Sequence, residues 1–86
     1  MLDIITIKDV KMKIGEWCKK QRIEHEASQE HLALELNMSR LTIQQLESGK
    51  NVTIDTLLKV ANHFNSLPAI YQVFDTSASD NLDSLY

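Results

Sequence analysis

Apolar residues recur at three- and four-residue steps along most of the chain, which is the spacing of amphipathic helices. The first such stretch follows Thr6-Ile7-Lys8-Asp9, where Thr6 and Asp9 have the spacing of a capping box. Its apolar positions are Ile7, Val10, Met12, Ile14, Trp17 and Cys18, and Gln21 continues the stripe. The pattern predicts a helix of about 15–18 residues. Gly15 lies inside it, and we expect this glycine to permit the close approach of a neighbouring helix.

Three further helices are predicted, each beginning at a residue that is favoured as an N-cap. The predicted caps are Ser28, Ser39 and Thr53. The second helix ends near Leu36, because Asn37 favours the left-handed conformation that closes a helix. The third helix runs from about Arg40 to Glu47 and stops at Ser48-Gly49. The apolar positions of the fourth helix are Ile54, Leu57, Leu58 and Ala61.

The stretch after Ser66 has two interpretations. Pro68 suits the first turn of a helix, but the β-branched and aromatic residues at 70–74 are also typical of a short strand. The sequence therefore predicts an all-α fold, a compact bundle of four to five short helices in one domain over residues 1–74. Residues 75–86 contain Asp75, Asp80 and Asp83 and no Lys or Arg, which predicts a flexible acidic C-terminal tail.

Length and charge limit the possible functions. A chain of 86 residues forms one small domain with a single core. Its net charge is −3, and residues 1–74 carry equal numbers of acidic and basic residues. The basic excess that is usual in nucleic-acid binders is therefore missing, although a local basic patch remains compatible with this balance. We see no secretory signal or apolar membrane-spanning run, and the single cysteine suits a reducing compartment, so we expect a cytoplasmic location.

The two middle helices, 28–36 and 39–48, are separated by a very short connection. Helices this close in sequence cannot lie antiparallel, so they must cross steeply, which is the helix-turn-helix arrangement. At 100° per residue, Ile43 and Leu46 fall on one face of the second of these helices. The opposite face carries Arg40, Leu41, Gln44, Gln45 and Ser48. Arginine, glutamine and an exposed leucine can contact guanine, adenine and the thymine methyl group respectively, but such a face in isolation is usually only solvated.

A longer set of residues in fixed order adds to this pattern. The set comprises Ile14-Gly15 and Arg22, then Ser28-Gln29, Leu32-Ala33 and Asn37-Met38-Ser39, then Thr42-Ile43, Leu46-Glu47 and Gly49-Lys50, and finally Asp55-Thr56-Leu57-Leu58-Lys59. The run from Ile14 to Leu58 that contains most of it resembles the phage-repressor-like helix-turn-helix regulators, also called the xenobiotic-response-element family. No single motif of this set is specific for the family, but the whole set in this order and with unbroken spacing is.

The resemblance implies roles for individual residues. It implies that Arg40, Leu41, Gln44 and Gln45 face the bases of the major groove. It implies that Ser28, Gln29, Thr42, Ser48, Lys50 and Asn51 contact DNA phosphates. It also implies a structural ion pair between Arg22 and Glu47, and a core shared by Leu32, Ala33, Met38, Ile43 and Leu46. The family commonly has glycine before the second helix, where this chain has Glu26-Ala27, so either Glu26 is strained there or the loop turns differently.

We therefore expect double-stranded DNA as the partner of a dimeric transcriptional repressor. A refinement is an antitoxin that represses its own promoter and binds a toxin protein. The alternative is a protein-interaction module that keeps the same helices without binding DNA. We expect no metal and no cofactor, because His25, His31 and His63 lack ligand spacing. Cys18 lies on an apolar stripe, and nothing in the sequence suggests the positioned base that a nucleophile requires, so we do not expect an enzyme.

Overall fold

A computed structural model describes residues 4–76, which form five α-helices and no strand within that range. Helix α1 spans Ile7–Glu24, α2 Gln29–Glu35, α3 Arg40–Glu47, α4 Ile54–His63 and α5 Leu67–Phe74. The predicted all-α fold is confirmed, and the stretch with two interpretations is a helix. Most of the predicted tail, residues 77–86, lies outside the described residues. Over 4–76, no helix has the length and apolar character that a membrane crossing requires.

Side-chain caps fix where the first four helices begin. The Thr6 hydroxyl accepts from the Asp9 backbone N–H at 3.0 Å, and the Asp9 carboxylate accepts from the Thr6 N–H at 3.0 Å, so the predicted capping box is present. These hydrogen bonds lower the pKa of the Asp9 carboxyl group, and the hydrogen bond from the Thr6 backbone N–H has the largest effect. The predicted caps Ser28, Ser39 and Thr53 each accept from a backbone N–H three residues later. Helix α5 differs, because Ser66 makes no side-chain cap and Pro68 occupies its first turn.

One apolar core lies between α1, α2, α3 and α4. Its buried side chains are Cys18, Leu32, Ala33, Ile43, Leu46, Val60, Ala61 and Phe64. The shared core expected of α2 and α3 is therefore confirmed, with Met38 packed at its edge. Since burial of apolar area is the dominant favourable term in folding, the inner face of α3 contributes to the stability of the whole domain.

Two parts of the predicted apolar pattern are not buried. In α1, Ile7, Val10 and Met12 are exposed, and at the start of α4 Ile54 is exposed too. The helical period identifies which residues share a face, but it does not tell how far along the helix a packing partner extends. Helix α1 extends beyond its contact with α3, so its first turns lie outside the core.

The contact between α1 and α3 is close because Gly15 has no side chain. A Cβ atom at this position would lie 2.5 Å from the backbone oxygen of Glu47 and 2.7 Å from that of Leu46. These distances are shorter than any ordinary carbon–oxygen contact. The expectation that Gly15 permits close helix approach is confirmed, and the neighbour is the C-terminal end of α3.

Left-handed residues other than glycine follow three of the helices. The φ angles are 54° at Glu26, 55° at Asn37 and 59° at Asn65. Asn37 adopts the predicted conformation, which asparagine tolerates well. Glu26 stands where the resembling family commonly has glycine, and its left-handed backbone costs about 1 kcal/mol. Of the two alternatives for this loop, strain at Glu26 is the one that the structure supports.

Candidate nucleic-acid interface

Helix α3 is held at both ends by local hydrogen bonds. At its start, the Ser39 hydroxyl accepts from the Thr42 N–H at 3.1 Å and lies 2.9 Å from the Thr42 hydroxyl. At its end, Gly49 has φ 75°, a left-handed conformation that glycine adopts without strain. The Lys50 N–H then bonds to the Gln45 carbonyl at 2.9 Å, which closes the last turn.

The two faces of α3 have opposite environments. Ile43 and Leu46 are 1% and 3% exposed and form part of the core. On the other side, Arg40 and Gln44 are exposed, and Leu41 is 58% exposed. Gln45 is only half-buried, so it lies at the border of this surface rather than in its centre. Three of the four residues predicted to face DNA bases, Arg40, Leu41 and Gln44, therefore share one accessible side of α3, and Gln45 lies at its edge.

The residues predicted to contact phosphates have different local partners. The Ser28 hydroxyl caps α2 by accepting from the His31 N–H at 3.0 Å. The Ser48 hydroxyl donates to the Gln44 carbonyl at 2.8 Å, and Thr42 is half-buried beside Ser39. The Ser48 hydroxyl proton is therefore used within its own helix, whereas the Ser28 hydroxyl only accepts and keeps its own O–H as a donor.

Lys50 and Asn51 are exposed members of the predicted phosphate set and lie in the turn between α3 and α4. The Asn51 side-chain oxygen accepts a hydrogen bond from the ammonium of Lys11 in α1. Lys11 was not predicted as a functional residue. Lys8, Lys11 and Gly15 share one face of α1 at helical spacing, which is the only signal in the sequence that places Lys11 beside this turn.

A polar cluster connects the end of α3 to the start of α2. Arg22 Nε and Nη2 donate to the two Glu47 carboxylate oxygens at 2.7 and 3.0 Å. Arg22 Nη1 also donates to the Ala27 carbonyl at 2.9 Å, and Gln29 Nε2 donates to Glu47 Oε1 at 3.0 Å. The hydrogen bonds to Glu47 raise the pKa of Arg22. The side chain of Gln29 is thus bound to Glu47, and its predicted phosphate contact would fall to its backbone N–H at the start of α2.

Cys18 and His25, which could be considered for catalysis or metal binding, are packed within the fold. Cys18 is fully buried, and burial, followed by the negative charge of Glu47, raises the pKa of its thiol to about 12. A thiol in this state is a poor nucleophile. His25 packs its ring against Phe64 at 4.9 Å and places Nδ1 2.8 Å from the Gln21 carbonyl oxygen. Among residues 4–76, no three His, Cys, Asp or Glu side chains come together in a way that could hold a metal ion.

Comparison with known proteins identifies a family. A family model described as helix-turn-helix matches residues 19–71, which is more than half of the chain. The match begins in the second half of α1 and ends within α5. No curated protein matches the chain.

Proposed function

Since the chain belongs to the phage-repressor-like helix-turn-helix family of DNA-binding transcription regulators, we propose that it is a dimeric, sequence-specific repressor that acts in the cytoplasm. Helix α3 enters the major groove of double-stranded DNA in this proposal. The observation that carries it is the division of α3 between buried Ile43 and Leu46 and an accessible surface of Arg40, Leu41 and Gln44. A helix with this division can leave the core intact while its other side contacts base edges.

The side chains of this surface fit the major groove chemically. Arg40 has the planar donor pair that binds guanine O6 and N7, and Gln44 has the amide that pairs with adenine N6 and N7. Leu41 offers an apolar contact for a thymine methyl group. Gln45 is half-buried, so we assign it a contact at the border of the site. Lys50, Asn51 and the backbone N–H groups at the start of α2 supply phosphate contacts, which set the orientation of α3.

The test is the affinity of Gln44→Ala for the duplex upstream of the protein's own gene. We expect a loss of about 1–3 kcal/mol in binding free energy and a weaker preference between the four bases at one position. Asn62→Ala is the matched control, because it removes an exposed amide from α4. Equal affinity of the parent protein and Gln44→Ala for this duplex would contradict the groove assignment. Titration at two salt concentrations separates this effect from phosphate contacts.

Dimerisation is proposed through α5. This helix has no buried residue, and Tyr71, Val73 and Phe74 are 65%, 75% and 76% exposed. Its apolar side chains line a groove against α1 together with Ile5, Val10 and Trp17. Apolar surface of this kind marks an interface, and two copies joined there could bind half-sites about one helical turn apart.

Sedimentation over a range of concentrations tests the dimer. We expect the parent protein to dimerise and Phe74→Lys to remain monomeric, because a buried lysine without a partner is costly at an interface. Leu34→Lys is the control, since Leu34 is 75% exposed on α2. If Phe74→Lys dimerises as strongly as Leu34→Lys, the interface lies elsewhere.

The antitoxin refinement concerns the C-terminal part of the chain, residues 66–86. The apolar residues of α5 and the acidic residues that follow them suit a protein partner with a basic, partly apolar surface. We propose that this partner is a toxin encoded beside the gene. Growth arrest by the neighbouring gene product, relieved by co-expression of this chain, supports the refinement. If the product of the neighbouring gene is harmless and does not bind the chain, the antitoxin refinement is wrong.

The alternative function is a protein-interaction module without DNA binding. The net charge of −3 and the exposed apolar α5 favour it. The same titration distinguishes the two functions, because a module of this kind would dimerise and yet bind no duplex even at low salt.

A further inference from the structure

The first half of α1 extends beyond the packing that holds the domain together. Helix α1 meets α3 at Gly15, where a Cβ atom would be 2.7 Å from the Leu46 carbonyl oxygen. The residues from Ile7 to Ile14 precede that contact and rise by about 12 Å at 1.5 Å per residue. Lys11 and Lys8 lie on the same face of α1 as Gly15, one and two turns before it respectively. The helix thereby brings the Lys11 ammonium to the turn that follows α3.

The turn between α3 and α4 rests on this extension. A Cβ atom at Gly49 would lie 3.0 Å from Met12 Cγ and 3.1 Å from Met12 Cα, so the turn and the second turn of α1 are in contact. Beside this contact the Lys11 ammonium donates a hydrogen bond to the Asn51 side-chain oxygen. Residues that are 40 positions apart in the chain are thereby joined at the surface.

The chemistry of this contact suits an anion. Asn51 Oδ1 is occupied by Lys11, so the amide group has its two N–H donors left for an outside acceptor. The Lys11 ammonium has three donors and uses one of them on Asn51. Lys11 belongs to neither the Lys13–Glu16 nor the Arg22–Glu47 ion pair, and no salt bridge to a carboxylate is formed by it within residues 4–76. The exposed Lys50 lies next to Asn51 and adds a second positive charge.

We propose that Lys11 is an additional phosphate-binding residue, which also positions Asn51, and that with Lys50 these residues form a clamp on the DNA backbone. The proposal rests on the proposed function and extends its interface. Lys11 lies outside the residues 19–71 that match the family model. Such a clamp gives affinity without sequence preference, which offsets the weak overall charge of the domain.

The experiment measures affinity as a function of salt for the full chain and its variants. The probes are the duplex upstream of its own gene and a random-sequence duplex of equal length. Lys11→Gln removes the charge, Lys11→Arg keeps it, and Lys13→Gln makes the same charge change at a highly exposed position of α1. We expect Lys11→Gln to weaken binding to both duplexes by a similar factor and to reduce the slope of log affinity against log salt by about one. Lys11→Arg should retain the parent slope, and Lys13→Gln should change it little.

A double-mutant cycle tests the positioning of Asn51. If Lys11 holds the Asn51 amide, the affinity losses of Lys11→Gln and Asn51→Ala will add to more than the loss of the double variant. Equal thermal unfolding midpoints of Lys11→Gln and Lys13→Gln exclude a folding defect as the cause. A salt slope for Lys11→Gln equal to that of Lys13→Gln overturns the clamp, while additive losses overturn the positioning role. If the parent protein binds neither duplex, the proposed function itself fails and the clamp fails with it.

Discussion

Arg22 and Glu47 form a two-point contact in which Nε lies 2.7 Å from Oε2 and Nη2 lies 3.0 Å from Oε1. Their side chains are only 12% and 4% exposed. The contact joins the last turn of α1 to the last residue of α3, and Gln29 adds the first residue of α2. Three helices thus meet at one carboxylate.

Removal of that carboxylate is expected to destabilise the protein strongly. Glu47→Gln leaves the Arg22 guanidinium poorly paired in a partly buried site, and we expect a loss of about 3 kcal/mol in the free energy of unfolding. Denaturant titration measures it. Glu16→Gln is the control, because the exposed Lys13–Glu16 pair should contribute less than about 0.5 kcal/mol. Similar losses for the two variants would show that the buried pair contributes no more to the free energy of unfolding than the exposed pair does.

Gly15→Ala is expected to separate α1 from α3. The added methyl group would lie 2.5 Å from the Glu47 carbonyl oxygen, which is backbone and cannot turn away. We expect a loss of about 3 kcal/mol, at the upper end of the cost of overpacking, even though alanine favours helix formation. Glu16→Ala, at the exposed neighbouring position, should be close to neutral. A stability of Gly15→Ala equal to that of the parent would mean that the two helices slide apart without cost.

Glu26→Gly is expected to stabilise the protein. Glu26 has φ 54°, and glycine adopts this conformation without the clash of a Cβ atom. We expect a gain of about 0.5 kcal/mol or less, because the larger entropy of glycine in the unfolded chain offsets much of the relief of about 1 kcal/mol. Asn37→Gly should gain less, since asparagine tolerates its φ of 55°. Thermal and chemical unfolding of both variants check the order, and a larger gain at Asn37 would contradict it.

Stability is expected to fall at alkaline pH because of Cys18. Its thiol has a pKa of about 12 in the folded protein and about 9 when unfolded. Between these values the unfolded chain loses the thiol proton and the folded protein keeps it, so the free energy of unfolding decreases as the pH rises. The slope contributed by one such group approaches about 1.4 kcal/mol per pH unit. Cys18→Ala has no thiol and should lack this contribution, so identical pH slopes for parent and variant would exclude it.

The local features of this fold are predictable from sequence, because they depend on residues close together in the chain. Ser39 three residues before Thr42 specifies the start of α3, and Asn37 and Gly49 specify where helices end. The division of α3 into two faces follows in the same way from the positions of Ile43 and Leu46.

Other features depend on distant contacts and could not be predicted in the same way. Val10 and Met12 continue an apolar stripe but are exposed, because the extent of the partner helix is set by the tertiary fold. The bond between Lys11 and Asn51 joins residues far apart in sequence. The short run at Ile70–Phe74 is compatible with strand or helix, and the packing of α5 against α4 decides between them.

Helix α3 has fewer than three turns, yet different residues form its buried and its accessible sides. The core contains Ile43 and Leu46, and the accessible side contains Arg40, Leu41 and Gln44. Exchange of the outward side chains alters no packed volume, so it carries little thermodynamic penalty. A library randomised at those outward positions should therefore yield mostly folded members. The binding preference of the domain can therefore be changed by substitutions on its surface, without redesign of its core.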